Sequence, residues 1–254
     1  MEWLADNDLL MRYSRQVLLP QLDVEGQDKL VNARVLVVGM GGLGTPVAMY
    51  LAGAGIGELI IADYDRVELS NLHRQVVHST ADIDRPKVES ARDRMLAINP
   101  EVTVTTITSA LDADTLLEWV QQVTVVVDAC DNFATRFAVN EACVQAGVPL
   151  VSGAAIRMEG QLSVYDSRDE NSPCYRCLFS DESAEEETCS QTGVLGPVVG
   201  TIGSLQALET IKLIAGIGKP LVGRLLLFDG LQGEWQRVQL KRDPGCPVCS
   251  QRGA

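Results

Sequence analysis

The chain has 254 residues, 46% of them apolar, enough to bury one large α/β core with a small appendage. Its 34 Asp and Glu outnumber 21 Lys and Arg, and a formal charge of −13 argues against nucleic-acid or anionic-membrane binding through a general surface field. The start, Met-Glu-Trp-Leu-Ala-Asp, lacks the basic and apolar regions of a secretory signal, and seven Cys without one point to a reducing cytoplasm and to thiol or metal chemistry.

Taken in chain order, residues 9–32 read as two helices separated by a linker containing Gly26. Val35–Val38 is a strand buried on both faces, followed by a helix over Gly44–Ala54 with Pro46 in its first turn. Glu58–Asp63 is the next strand, and Lys87–Ile98 a helix stopped by Asn99-Pro100. Val102–Thr108 (strand), Asp112–Val120 (helix), Thr124–Asp128 (strand), Ala134–Gln145 (helix) and Pro149–Ser152 (strand) continue the alternation. Such alternation predicts an α/β fold with a Rossmann-like, doubly wound, mostly parallel sheet. Gly160–Tyr165, Arg224–Phe228 and Gly233–Leu240 predict antiparallel strands extending that sheet at its C-terminal side. Residues 180–192 are acidic and aperiodic, which predicts a mobile loop. The longest apolar stretch, Gly193 to Gly218, contains Glu209 and Lys212 and reads as a Gly-rich loop plus a buried helix, so no membrane span is expected.

The first chemical signal is Gly39-Met-Gly-Gly-Leu-Gly44. It follows a strand and opens a helix, the setting in which Gly39, Gly41 and Gly44 let a nucleotide approach the backbone and a helix N-terminus. Asp63 stands where a ribose-binding acid belongs, at the end of the second strand, with Asp65 two residues on. Asn71, Arg74, Gln75 and Lys87 then supply donors suited to phosphate oxygens. A nicotinamide-dependent dehydrogenase would account for the glycine turn and Asp63 but leaves that cluster without a shared purpose. Asp128 and Asp131-Asn132 follow the valine strand, where an acid can hold Mg²⁺ on a triphosphate or cap the next helix; both readings of Asp131 stand. His73 and His78 have no partners at metal spacing and read as ordinary surface or core residues.

Two Cys-x-x-Cys pairs, Cys174/Cys177 and Cys246/Cys249, predict a closed Cys₄ site holding structural Zn²⁺, although four thiolates also suit iron. Redox dithiols are the alternative, but such a pair usually occurs singly at a helix start. Metal loss is expected to lower stability before it touches chemistry. Cys130 and Cys143 read as small buried hydrophobes. Cys189 lies in the acidic loop, where Glu185, Glu186 and Glu187 would raise its pKa.

With these motifs in place, the chain resembles over essentially its whole length the MoeB/ThiF group of ubiquitin-activating-like adenylyltransferases. The resemblance rests on Arg12-Tyr-Ser-Arg-Gln16, Gly39-Met-Gly-Gly-Leu-Gly44, Ser70-Asn-Leu-His-Arg-Gln75, Arg85-Pro-Lys87, Asp128-Ala-Cys-Asp-Asn132, Val151-Ser-Gly-Ala-Ala-Ile-Arg-Met-Glu-Gly160 and the Cys pairs. These motifs mark the group and discriminate poorly within it. Ser152–Gly160 looks like the molybdopterin-synthase enzyme; Gly44-Thr-Pro, Ala62-Asp63 and Ile83–Lys87 look more like the thiamine-pathway enzyme. The resemblance implies one domain in three parts: N-terminal helices over 1–32, a nucleotide-binding core over 33–152, and a carrier-binding and zinc part over 153–254. It implies ATP-dependent adenylation of the C-terminal Gly-Gly carboxylate of a ubiquitin-like sulfur carrier. Gly42, Asp63, Asn71, Arg74, Lys87 and Asp131 would form the ATP site, Asp131 handling Mg²⁺, and Arg15 would reach a partner's triphosphate across a homodimer. Cys189 matches a loop cysteine linked to sulfur transfer in ThiF-like members. With no rhodanese-like domain after Ala254, a separate sulfur donor is expected. A non-catalytic zinc-bound adaptor that has kept the fold is the third reading.

Overall fold

The computed structural model describes residues 1–179 and 192–250. An N-terminal arm of α1 (Asn7–Val17) and α2 (Asp23–Val31) precedes a regular alternation. β1 (Arg34–Val38), α3 (Gly44–Ala54), β2 (Glu58–Ala62), α4 (Lys87–Ile98), β3 (Thr103–Ile107), α5 (Ala113–Val120), β4 (Val125–Asp128), α6 (Phe133–Ala146) and β5 (Leu150–Ile156) follow in order. β6 (Glu159–Tyr165), α7 (Gly196–Ala215), β7 (Arg224–Asp229) and β8 (Glu234–Gln239) complete the fold.

The strands form one eight-stranded sheet in the order β3-β2-β1-β4-β5-β6-β7-β8. β1 to β5 pair in parallel, whereas β6, β7 and β8 add antiparallel. β1 shows why the parallel strands lack polar alternation. Its Val35 and Val37 join the apolar layer under α2, α3, α4 and α7, while Leu36 and Val38 join the opposite layer under α5 and α6. The chain order reverses between β1 and β4, and the carboxyl ends of those strands therefore open onto a crevice.

Several boundaries differ from expectation. Gly26 lies inside α2; the break between the first helices falls over residues 18–22, where Pro20 has no N–H to continue α1. β5 runs on to Ile156, four residues past its expected end, because Gly153–Ile156 pair with Glu159–Leu162 of β6. The 193–218 stretch has little loop: α7 starts at Gly196 and takes Gly200 and Gly203 into its body. α7 is long and apolar enough to cross a membrane, but it packs on α3, β5 and β6, with 56% of its apolar window buried. Gly55, Gly147 and Gly216 end α3, α6 and α7 in the left-handed conformation. The acidic stretch, with Cys189, lies outside the described residues apart from Thr192.

Candidate active site

The β1–α3 turn is built from close approaches. Gly39 has φ +99° and a Cβ there would stand 2.7 Å from the Ala129 carbonyl oxygen; one on Gly44 would meet the Gly39 oxygen at 1.8 Å. Neither position admits a side chain without moving backbone. Gly41 differs. Its absent Cβ would have only Gln75 Nε2, at 3.7 Å, within 4 Å, and the residue lines a cavity. That vacancy is what a ligand pressed against the backbone requires.

The Asp63 carboxylate braces the turn: Met40 N–H donates to Oδ2 at 2.7 Å and Asp65 N–H to Oδ1 at 2.8 Å. Burial raises its pKa above the ordinary carboxylate value, with the Lys87 cation and the two N–H donors opposing. Lys87, 6% exposed on the first turn of α4, is held 2.7 Å from Asp65 Oδ2. Arg74 lies one helical turn beyond Ser70 and donates to its carbonyl at 2.9 Å. Asn71 and Gln75 are buried beside it. At the end of β4, Asn132 caps α6 by accepting from Thr135 N–H at 2.9 Å. That decides the capping alternative against Asp131, which is exposed and makes no ion pair among the described residues.

Gly39, Gly41, Gly42, Asp63, Asp65, Asn71, Arg74, Gln75, Lys87, Asp131 and Asn132 line one cavity of about 900 Å³. Gly44 shapes the turn from behind and is not in its wall. Arg15 is absent from that wall as well; it is exposed on α1. The cavity continues along Ala154, Ala155 and Gly160 of the β5–β6 hairpin, whose small side chains leave a slot. From β6, β7 and β8 its charged lining is acidic only, through Glu159, Asp229 and Glu234, which stand opposite one another across the three strands.

The four cysteines converge. Sγ–Sγ separations are 3.6 Å for Cys174–Cys246, 3.4 Å for Cys177–Cys249 and 3.9 Å for Cys174–Cys177, all four lying within 4.8 Å of one another. A tetrahedral ion with Zn–S near 2.3 Å places its sulfurs about 3.8 Å apart, so the residues fit the ion. Burial pushes the Cys177 thiol up to about 11 and raises Cys174 further, whereas at Cys249 burial is overcome by hydrogen bonds from Cys177, Cys174, Cys246 and Arg242, which lower it. The Cys130 and Cys143 thiols are buried and their pKa values raised by burial, as small core residues should be. His73 is exposed; His78 is buried between Ser90 Oγ (2.9 Å) and the Met40 carbonyl (3.4 Å).

A family model described as ThiF family matches residues 13–248. The chain belongs to the ThiF family. Among ThiF-family relatives, the molybdopterin-synthase adenylyltransferase of Salmonella typhimurium is 48% identical over 248 residues, covering 98% of this chain and 99% of that protein. The sulfur carrier protein ThiS adenylyltransferase of Escherichia coli is 48% identical over 239 residues, 94% of each chain. Among solved structures, E. coli MccB with ATP superposes with a TM-score of 0.83 at 28% identity, covering 94% of this chain and 75% of that one.

Sequence reasoning missed a buried network behind the ThiF-family cavity. Asp128, 1% exposed, receives Arg136 Nη1 at 3.0 Å and Ser152 Oγ at 2.7 Å on Oδ2, and Cys130 N–H at 3.0 Å on Oδ1. Arg136 also donates to the Cys130 carbonyl, and Gln206 Nε2 donates to the Asp128 carbonyl at 2.7 Å. Together these fix the turn that carries Asp131. An arginine one helical turn after the Asn132 cap, on a helix of otherwise uncharged core positions, was the available signal. Tyr175, between two of the cysteines, lines the cavity too, and nothing in its local pattern announces that.

Proposed function

We propose that this chain is an ATP-dependent adenylyltransferase acting on the C-terminal glycine of a ubiquitin-like sulfur carrier of the molybdopterin-synthase type. The observation that carries the reading is the single cavity in which Gly41, Asp63, Asn71, Arg74, Lys87 and Asp131 meet at one end and a slot of small residues opens at the other. The near full-length match to the Salmonella enzyme supports it. A glycine carboxylate is ionised at neutral pH and needs no general base. Its oxygen forms a bond to the α-phosphorus as the bond to pyrophosphate breaks, so the protein's task is alignment and charge neutralisation. Asp63 would hold the ribose, the N–H groups at the start of α3 the phosphates, and Arg74, Lys87 and Asn71 the oxygens on which charge accumulates. Gln75 and Asn132 complete that wall, with Asp65 keeping Lys87 in place.

Asp131, an exposed carboxylate with no ion pair among the described residues, fits Mg²⁺, which would neutralise phosphate charge when bound. The four cysteines would hold Zn²⁺ with no open position, a structural role. Two glycines at a carrier's end suit the slot beside Ala154, Ala155 and Gly160. The acidic row on β6–β8 suits a basic segment of the carrier.

We further propose a cytoplasmic homodimer served by a separate sulfur donor, with Arg15 of each copy entering the other copy's site. Met11 and Leu18, 74% and 68% exposed, flank Arg15 at helical spacing, and such an apolar surround suits a protein contact. Cys189 remains a candidate sulfur-transfer thiol. The match to the ThiS enzyme favours a second reading in which the carrier belongs to the thiamine pathway.

ATP–pyrophosphate exchange with each purified carrier tests both readings. Exchange with the molybdopterin-synthase small subunit supports the first, and exchange confined to ThiS the second. No exchange with either, in folded and metal-loaded protein, overturns adenylation. A Gly-deleted tail should be inert.

A further inference from the structure

In Arg12-Tyr-Ser-Arg-Gln16 the proposed chemistry uses only Arg15, yet Arg12, Tyr13 and Gln16 make the longer-range contacts. Tyr13 is 2% exposed and packs on Gly55, the left-handed cap of α3, where a Cβ would stand 2.5 Å from its ring. Its hydroxyl accepts from Asn99 Nδ2 at 2.9 Å, and the same amide donates to the Ala52 carbonyl at 2.9 Å. Gln16 Nε2 donates to the Ala54 carbonyl at 3.1 Å and to Gln27 Oε1 at 2.9 Å. Gln27 Nε2, fully buried, donates to Ala54 at 3.0 Å. Arg12 Nη1 donates to the carbonyl of Ile98, the last residue of α4, at 2.9 Å.

Gln16 and Arg12 thus donate to carbonyls of Ala54 and Ile98, the last residues of α3 and α4, whose helices have ended, while the Tyr13 hydroxyl receives the amide of Asn99, the residue that caps α4. At about 100° per residue, Arg15 projects some 160° around the helix from the buried Tyr13, on the exposed side of α1. Arg15 itself makes no hydrogen bond or ion pair among the described residues. A long cation on a frayed segment would be a poor phosphate ligand, because each rotatable bond and each degree of helix motion must be frozen on binding. A helix bolted to two others has lost that freedom beforehand.

We infer that Arg12, Tyr13 and Gln16 are positioning residues that lock α1 onto the C-terminal ends of α3 and α4, so that Arg15 is held at a fixed place for the active site of a second copy. This rests on the reading that Arg15 works across a dimer. It adds that the fault caused by loosening the dock appears in the partner's site, not in the chain that carries the substitution. The arrangement also gives α3 two duties. Leu43, which precedes its first turn, lines its own chain's cavity, and its last turn, about 15 Å away, secures the arm meant for the other.

Differently tagged copies co-expressed as mixed dimers test this, with exchange measured on the molybdopterin-synthase small subunit. In the first arrangement one chain carries Gln16→Leu and the other Asp131→Ala; the only intact site then receives Arg15 from an undamaged α1. In the second, both substitutions sit on one chain and the partner is wild type, so the only intact site receives the loosened arm. The first should match the control dimer of wild type with Asp131→Ala. The second should fall about 10- to 100-fold in exchange rate, with a raised KM for ATP. Equal rates in the two arrangements overturn the inference, since a merely structural defect does not depend on which chain bears it. Arg15→Ala, run through the same pair, separates the premises. If it shows no arrangement dependence, the dimer reading fails; if it does and Gln16→Leu does not, the dock fails alone. Arg12→Met, at an exposed position, repeats the comparison should Gln16→Leu lose the dimer.

Discussion

Arg136→Met removes the cation beneath the Asp131 turn, and its cost can be worked from the geometry. The Arg136 and Asp128 side chains are 8% and 1% exposed and 3.0 Å apart. An exposed pair of this kind contributes about 0–1 kcal/mol, but removing one partner of a buried pair strands a charge and costs about 3–5 kcal/mol. Asp128 would keep the Cys130 N–H and the Ser152 hydroxyl and lose the one cation paired with it among the described residues. For a chain of this length, about 2–4 °C per kcal/mol makes the expected fall in Tm roughly 6–20 °C. Adding Asp128→Asn removes the stranded charge while preserving shape, so the double variant should be more stable than the sum of the singles by about 2 kcal/mol. Urea unfolding of the metal-loaded protein at fixed concentration, followed by circular dichroism, gives all three values. A loss below about 1 kcal/mol for Arg136→Met, or strict additivity, would refute the claim that the pair is desolvated and coupled.

Gly41→Ala should fold with a Tm near wild type and bind ATP at least tenfold more weakly, whereas Gly39→Ala should lose several kcal/mol through its positive φ and the Ala129 carbonyl; calorimetric ATP titration and thermal melts separate the two, and an unimpaired Gly41→Ala would remove the nucleotide from that turn. Because burial raises the Asp63 pKa in the folded protein, this group's contribution to stability is greatest below its ordinary value and is lost as pH rises through the folded value. The proposed ribose contact needs the ionised form, so ATP affinity should fall on acidification at a pH above the ordinary carboxylate midpoint, while stability attributable to Asp63 moves the other way. Asp63→Asn should bind weakly at every pH and lack that step; an unchanged pH profile would exclude the role. Stripping the Cys₄ metal with a chelator should lower Tm by several degrees, read by differential scanning fluorimetry, and a metal-free protein of equal Tm would refute a structural ion.

Much of this was legible in the sequence because local rules and tertiary demands agree. The valines of β1 and β4 are buried on both faces, Gly44 answers to a backbone contact within its own turn, and the Cys spacing is itself a ligand geometry. The misses lie where distant segments decide. Gly26 reads as a breaker until Leu22 and Ala215 are seen packed on it, and helix context then overrides its propensity. β5 runs past Ser152 because β6 pairs with it, which periodicity cannot disclose. Asp128 looked like a ligand acid at a strand end; its role is set by Arg136, Ser152 and Gln206, three segments apart in sequence.

Tyr175 joins two parts of the molecule usually described separately. It sits on the turn between Cys174 and Cys177, donates its N–H to Asn140 Oδ1 at 2.8 Å, stacks on Phe179 at 4.6 Å, and forms part of the cavity wall. The cysteine knuckle and the proposed nucleotide cavity thus share a side chain, through which an ion at one and ATP at the other can be linked. Such linkage is reciprocal: if the ion stiffens the wall against which ATP binds, bound ATP must retain the ion by the same factor. A cell short of metal would then lose first the copies idle for want of nucleotide, and those engaged in turnover would be the last to surrender theirs.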